Sequence, residues 1–166
     1  LNELEDLVSK FYKLRILELT LKGSYSFPVF LGSLSETLSN FKDLTKLQLY
    51  FKNIKIQDSC ILSFGKFLRS AKNLKEVWLT TFRNKFTDRG FNKFLEQLCE
   101  ANSLRFINFN FSYPLDLKNS ILNLANVMTK MQSQVVEFAV LLGPTDKLSY
   151  SDYQKINKIV YGARQQ

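Results

Sequence analysis

Leu74-Lys75-Glu76-Val77-Trp78-Leu79-Thr80-Thr81-Phe82-Arg83-Asn84-Lys85-Phe86-Thr87-Asp88-Arg89-Gly90 is the stretch on which the reading of this chain turns. Its first six residues carry apolar side chains at positions one, four and six, and the last two of these alternate as they would along a strand. The same spacing stands upstream at Leu44, Leu47 and Leu49, and again at Leu14, Leu17 and Leu19. Downstream it stands at Leu104, Ile107 and Phe109. These copies lie 30 residues apart, and another, Val135, Phe138 and Val140, follows after 31. Self-similarity at a fixed period of this length is the signature of stacked supersecondary units.

Between the copies the apolar period changes from 2 to 3.6. Leu34, Leu38 and Phe41 are followed by Phe64, Leu68 and Ala71, then by Phe94, Leu98 and Ala101, then by Leu124, Met128 and Met131. Offsets of four and three mark one face of a helix. Each repeat is therefore a short strand followed by an amphipathic helix. Asp58 and Asp88 sit just ahead of the helical periodicity, where a carboxylate is expected to cap exposed backbone N–H groups.

The ends keep the same register. Leu4, Val8 and Phe11 match Leu34, Leu38 and Phe41, so residues 1–11 are predicted to be the helix of a repeat whose strand lies upstream. Ser151-Asp152-Tyr153-Gln154 has the form of a capping box opening a last helix through residue 161. Residues 1–166 are thus read as one array of strand–helix repeats, a segment of a longer chain with further repeats before it. A single strand–helix unit cannot bury its apolar face. Stacking neighbours gives an α/β fold with a parallel sheet on one side and helices on the other. Helices are wider than strands, roughly 10 Å against 4.8 Å per element, so the expected shape is a horseshoe solenoid with strands on the concave side.

The L-x-x-L-x-L pattern, its fixed period and its helical second half resemble leucine-rich repeats of the ribonuclease-inhibitor-like subclass. The turn from Asn84 through Phe86 and Asp88 to Gly90 is similar to that subclass's N-x-[IL]-x-D-x-G entry into the helix. The second repeat keeps Ile56 and Asp58 but has Ile54 where asparagine is expected, and the other copies carry Ser24, Pro114 and Thr145 there. The buried asparagine ladder of the subclass is therefore mostly missing. The added step in Leu47, Leu49 and Phe51 resembles divergent repeats of large ciliate proteins, some of which carry a kinase domain elsewhere. The resemblance implies a non-catalytic interaction scaffold, with the repeat arm of a signalling enzyme (kinase or GTPase regulator) as the alternative.

Composition narrows the function classes. The 166 residues are 45% apolar and 23% charged, as in a folded chain, and they include no histidine. A Ser-His-Asp or Cys-His catalytic site and an imidazole-bound zinc site cannot be built. Cys60 and Cys99 stand far apart with no Cys-x-x-Cys, as expected of small core residues in a reduced, cytoplasmic protein. No phosphate-cradling glycine loop and no nucleophile elbow occur, so no catalytic residue, cofactor, metal or small-molecule substrate is expected. No run of residues is long and apolar enough to span a membrane. The net charge of +8 invites a nucleic-acid reading, but the lysines are scattered one or two per amphipathic segment. A solvated helix face explains them better.

The side chains between the buried leucines must point out of the sheet. They form columns: Ile16, Glu18, Thr20 and Lys22; Lys46, Gln48, Tyr50 and Lys52; Glu76, Trp78, Thr80 and Phe82; Phe106, Asn108, Asn110 and Ser112; Glu137, Ala139, Leu141 and Gly143. The only tryptophan is thereby placed at the centre of an exposed face. Trp78, Tyr50, Phe82, Phe106, Gln48, Asn108, Lys46 and Lys52 are the expected contacts for a protein partner. Lys22, Lys46 and Lys52 are expected to form a basic flank suited to an acidic partner strip, and a large assembly, such as a cytoskeletal one, is the expected setting.

Overall fold

Strand alternation sends Leu47 and Leu49, Val77 and Leu79, and Ile107 and Phe109 to one side of the sheet, where each is buried. The computed structural model describes residues 6, 10–11, 13–22, 30–52, 54, 56–82, 86–112 and 120–142. Along the chain they form β1 (Ile16–Lys22), α1 (Phe30–Leu38), β2 (Lys46–Lys52), α2 (Asp58–Ser70), β3 (Glu76–Phe82), α3 (Asp88–Cys99), β4 (Phe106–Ser112), α4 (Ile121–Met131) and β5 (Glu137–Leu142). The five strands make one parallel sheet in sequence order, β1-β2-β3-β4-β5. The expected α/β architecture is present. The expected helices over 1–11 and 151–161 lie outside the described residues.

The register has no offset. Leu17 pairs with Leu47, Leu47 with Val77, Val77 with Ile107, and Ile107 with Phe138. Strands β2 to β5 also start in the same way, with two successive amides converging on one carbonyl of the repeat before. Lys75 and Glu76 donate to the Thr45 carbonyl at 2.8 and 3.0 Å, and Arg105 and Phe106 donate to that of Lys75 at 2.8 and 3.0 Å. The one-residue excess of the last repeat is taken up in the turn after α4. Leu74 and Leu104 bond back three residues, to the carbonyls of Ala71 and Ala101, whereas Val135 bonds back four, to Met131. The strand register survives because the turn absorbs the insertion.

Beneath the sheet, the helices close a core of leucines and phenylalanines. Phe64, Phe86, Phe91, Phe94, Phe109 and Phe111 are buried and linked by ring pairs 5.4–6.4 Å apart, in stacked, tilted and edge-on arrangements. Leu17, Leu19, Leu21, Phe138 and Val140 of the outer strands are only partly buried. That gradient follows from stacking, in which each repeat is covered by its neighbours. Cys60 is buried as expected, but Cys99 is half-buried.

Polar side chains tie each repeat to the one before it. Asn73 donates to the Lys42 carbonyl at 2.8 Å, Ser103 to Ala71 at 2.6 Å, and Gln134 to Ala101 at 2.8 Å. Asp58 and Asp88 join in, and here the capping expectation is corrected. Each aspartate is the first residue inside its helix, so its carboxylate faces the next repeat. Asp58 accepts from the Thr87 amide at 2.6 Å and from the Thr87 hydroxyl at 2.8 Å, and Asp88 accepts from the Ser120 hydroxyl. Gln57 precedes α2 without a side-chain cap, while Thr87 caps α3 by accepting from the Gly90 amide at 3.4 Å.

Gly90 is needed for this tie. A Cβ there would overlap the Asp58 carboxylate and lie 2.8 Å from Asp58 Cβ. Gly90→Ala is expected to cost about 1–3 kcal/mol by forcing Asp58 off Thr87. Gly32→Ala, whose Cβ would meet nothing nearer than Ser63 Oγ at 3.9 Å, is expected to stabilise by about 0.5–1 kcal/mol as an ordinary helix substitution. Urea midpoints of the two variants check this, and equal shifts for both would remove the special role of Gly90.

Thr81 supplies a second test. It lies in the column of Phe51 and Phe111, fully buried, and its hydroxyl has no hydrogen-bond partner among the described residues. Removing an unsatisfied buried hydroxyl recovers its desolvation penalty. Thr81→Val should raise stability by about 1 kcal/mol, read as a higher melting temperature.

Candidate protein-docking face

The side of the sheet away from the helices carries the columns predicted from sequence. Its first row runs Ile16, Lys46, Glu76, Phe106, Glu137, and its second Glu18, Gln48, Trp78, Asn108, Ala139. The third row runs Thr20, Tyr50, Thr80, Asn110, Leu141. Trp78 holds the middle, 43% exposed, with Tyr50 at 37% and Phe106 at 40%. While Phe64, Phe86, Phe91, Phe94, Phe109 and Phe111 are buried in the core, these three rings stand in solvent on a hydrogen-bonded sheet that cannot fold them away. Such rigid aromatic area, obtained at low entropic cost, is the usual material of interface anchors.

The eight predicted contacts fall into two groups. Toward the start of the strands, Lys46 Nζ lies 3.0 Å from Glu76 Oε1 and 6.0 Å from the centroid of the Trp78 ring. With its amide nitrogen turned toward Glu18, the orientation that satisfies both neighbours, the Gln48 carboxamide donates to Glu18 Oε1 at 2.9 Å and accepts from Lys46 Nζ at 3.1 Å. Phe106 and Asn108 adjoin this group in register, opposite Glu76 and Trp78. Toward the ends of the strands, Tyr50 meets Phe82 edge-on with centroids 5.9 Å apart, and Lys52 pairs in register with Lys22.

The single basic flank expected from Lys22, Lys46 and Lys52 is therefore divided. Lys46 is held by a carboxylate and a carboxamide, and only Lys22 and Lys52 remain as adjacent exposed cations at the far edge.

Glu76, Glu137 and Leu141 are among the face residues that stand in the columns but outside the eight expected contacts. Glu76, Trp78, Phe106, Ile107, Asn108 and Glu137 line a shallow depression of ≈ 230 Å³. Ala139, beside Asn108 in the second row, contributes no bulk to fill it. Strand alternation gave the positions of both glutamates, but only cross-strand neighbours show that Glu76 is paired with Lys46. Glu137 makes no ion pair among the described residues, and Arg105, next to Phe106 in sequence, turns its guanidinium to the carbonyls of Asn102 and Leu104 at 3.1 and 2.8 Å. Among the described residues no group of three or more acidic or cysteine side chains could hold a metal ion, and no helix is long and apolar enough to cross a membrane.

These features define an α/β domain with a parallel five-stranded sheet, helices on one side and an aromatic open face on the other. Among solved structures, the chain is similar to one titled leiomodin-1 actin-binding site 2, with a TM-score of 0.69, 13% identity, and coverage of 98% of this chain and 88% of that one. It is also similar to the tropomodulin C-terminal domain of Caenorhabditis elegans, with a TM-score of 0.66, 13% identity, and coverage of 97% and 93%. No protein-family model matches the chain, and no curated protein matches it.

The expected membership of the ribonuclease-inhibitor-like leucine-rich repeats, with its ciliate-like variants, is corrected by these neighbours. The physical reason lies in what the motif encodes. L-x-x-L-x-L fixes which strand side chains point inward and how often a unit recurs, a requirement shared by any stack of parallel strand–helix units. The subclass marker was the asparagine of the turn, and this chain lacks it in most repeats. Its own ties are Asp58 to Thr87, Asp88 to Ser120, and the Asn73, Ser103 and Gln134 series.

Adjacent residues on opposite sides of β3 give a direct test of the face. Leu79 is fully buried, and Leu79→Ala should cost about 2–5 kcal/mol through the cavity it leaves. Trp78→Ala should change stability by less than about 1 kcal/mol, since much of its ring already meets water. Chemical denaturation of both variants checks the contrast.

Proposed function

We propose that this protein is a non-catalytic protein-binding module that docks its partner on the open sheet face, with actin as the first partner to test. The observation that carries the reading is the set of exposed rings, Trp78, Tyr50 and Phe106, fixed on a continuous parallel sheet. A likeness in fold to structures described as an actin-binding site and a tropomodulin domain supports the choice of actin, and with it a cytoskeletal setting. In this reading the wider helix layer bends the stack so that the docking face is concave, and further units of the same kind extend it. Absence of histidine supports the non-catalytic part, because it removes the usual general base.

Binding is to be measured by co-sedimentation with actin filaments and by fluorescence titration of actin monomers. Trp78→Ala is expected to weaken the complex by about 30-fold, the equivalent of an anchor worth about 2 kcal/mol. Thr129→Ala, on the exposed part of α4, is expected to leave it unchanged. Wild-type protein that fails to bind either form of actin removes actin as the partner. Binding that survives Trp78→Ala undiminished removes the open face as the site.

A further inference from the structure

We infer that the depression between Trp78, Phe106 and Glu137 is an arginine pocket, which accepts a guanidinium side chain of the docked protein. The inference rests on the open sheet face being the docking site, and it names the chemistry that face selects. Charge is the first argument. Across the first two rows stand three carboxylates, Glu18, Glu76 and Glu137, against one ammonium, Lys46. This patch is acidic on a chain whose net charge is +8, so it opposes the field of the rest of the molecule.

Geometry is the second argument. In the first row Phe106 stands between Glu76 and Glu137, with strand spacings of roughly 4.8 Å on either side, and Trp78 lines the depression beside it. Lys46 already engages Glu76 at 3.0 Å and approaches the Trp78 ring, showing that a cation is accommodated on this side of the indole. Glu137, on the other side of Phe106, has no such cation among the described residues. An apolar anchor seated here would strip water from Glu137 and give it no partner, a costly outcome. An acidic anchor would meet Glu137 with like charge.

A guanidinium satisfies both requirements at once. It is planar and weakly hydrated, stacks on aromatic faces, and presents paired N–H donors that match a carboxylate. The aromatic walls then hold the plane of the group while Glu137 sets its charge and direction. Lysine offers the charge without the planar stacking, which makes arginine the better fit.

The probes are two blocked tripeptides, acetyl-Gly-Arg-Gly-amide and its citrulline counterpart, which keeps the shape and removes the charge. Trp78 is the only tryptophan, so its emission and its indole N–H resonance report on the pocket directly. The arginine peptide should produce a saturable shift, and the citrulline peptide one at least roughly fivefold weaker in affinity. Glu137→Gln should weaken the arginine peptide by roughly fivefold without lowering the melting temperature. Lys46→Met should strengthen it, because Glu76 is then released to the incoming cation. No saturable shift, equal affinity for citrulline, or indifference to Glu137→Gln overturns the pocket. The two readings separate in the actin assay: a complex weakened by Trp78→Ala but not by Glu137→Gln keeps the docking face and discards the arginine pocket.

Discussion

The parallel ladder, which sets each strand residue against its counterpart one full repeat later, is the constraint on which the rest of this structure depends. Side chains alternate with a period of two, so a slip of one residue between any two strands would turn a buried leucine column into solvent. Val77 can lie between Leu47 and Ile107 only if the intervening helix and turns return the chain to the same height each time. Where the spacing lengthens from 30 to 31 residues, the accommodation falls entirely between Met131 and Val135, and β5 enters in phase. Hydrogen bonding and hydrophobic burial thus enforce the same register from opposite directions.

That register also decides how the repeats hold one another. Because equivalent positions are stacked, a polar side chain in one turn finds a turn carbonyl or a hydroxyl of its neighbour within reach. Asn73, Ser103 and Gln134 use this on the turns that lead into strands, and Asp58 and Asp88 use it at the helix entries. Net gains from such bonds are small one by one, about 1 kcal/mol each. The phenylalanine-rich core supplies most of the driving force, and the polar ties choose the one way in which that core can close.

The face that remains is a by-product of the same geometry. Once Val77 and Leu79 go inward, Trp78 goes outward, and the sheet has no freedom to hide it. Its charges are arranged as single pairs, with Glu137 outside any ion pair among the described residues. Rings at the centre, carboxylates along one side and two lysines at the far edge make up this open face.

The sequence by itself determined the repeat, the strand–helix alternation, the composition of every column and the outward direction of Trp78. These follow from backbone periodicities of 2 and 3.6, which depend only on local geometry. Membership of a repeat subclass was not legible, since L-x-x-L-x-L reports inward-facing positions and says little about the turns that distinguish one stack from another. Tertiary structure alone decided that Asp58 reaches Thr87 instead of capping its own helix, that Thr81 hides a hydroxyl among phenylalanines, and that Lys46 is held by Glu76 and Gln48. It likewise decided that Glu137 stands open beside Phe106. Each of these depends on distances across neighbouring repeats, where a few tenths of an ångström and one rotamer select the partner, and no period in the chain records that choice.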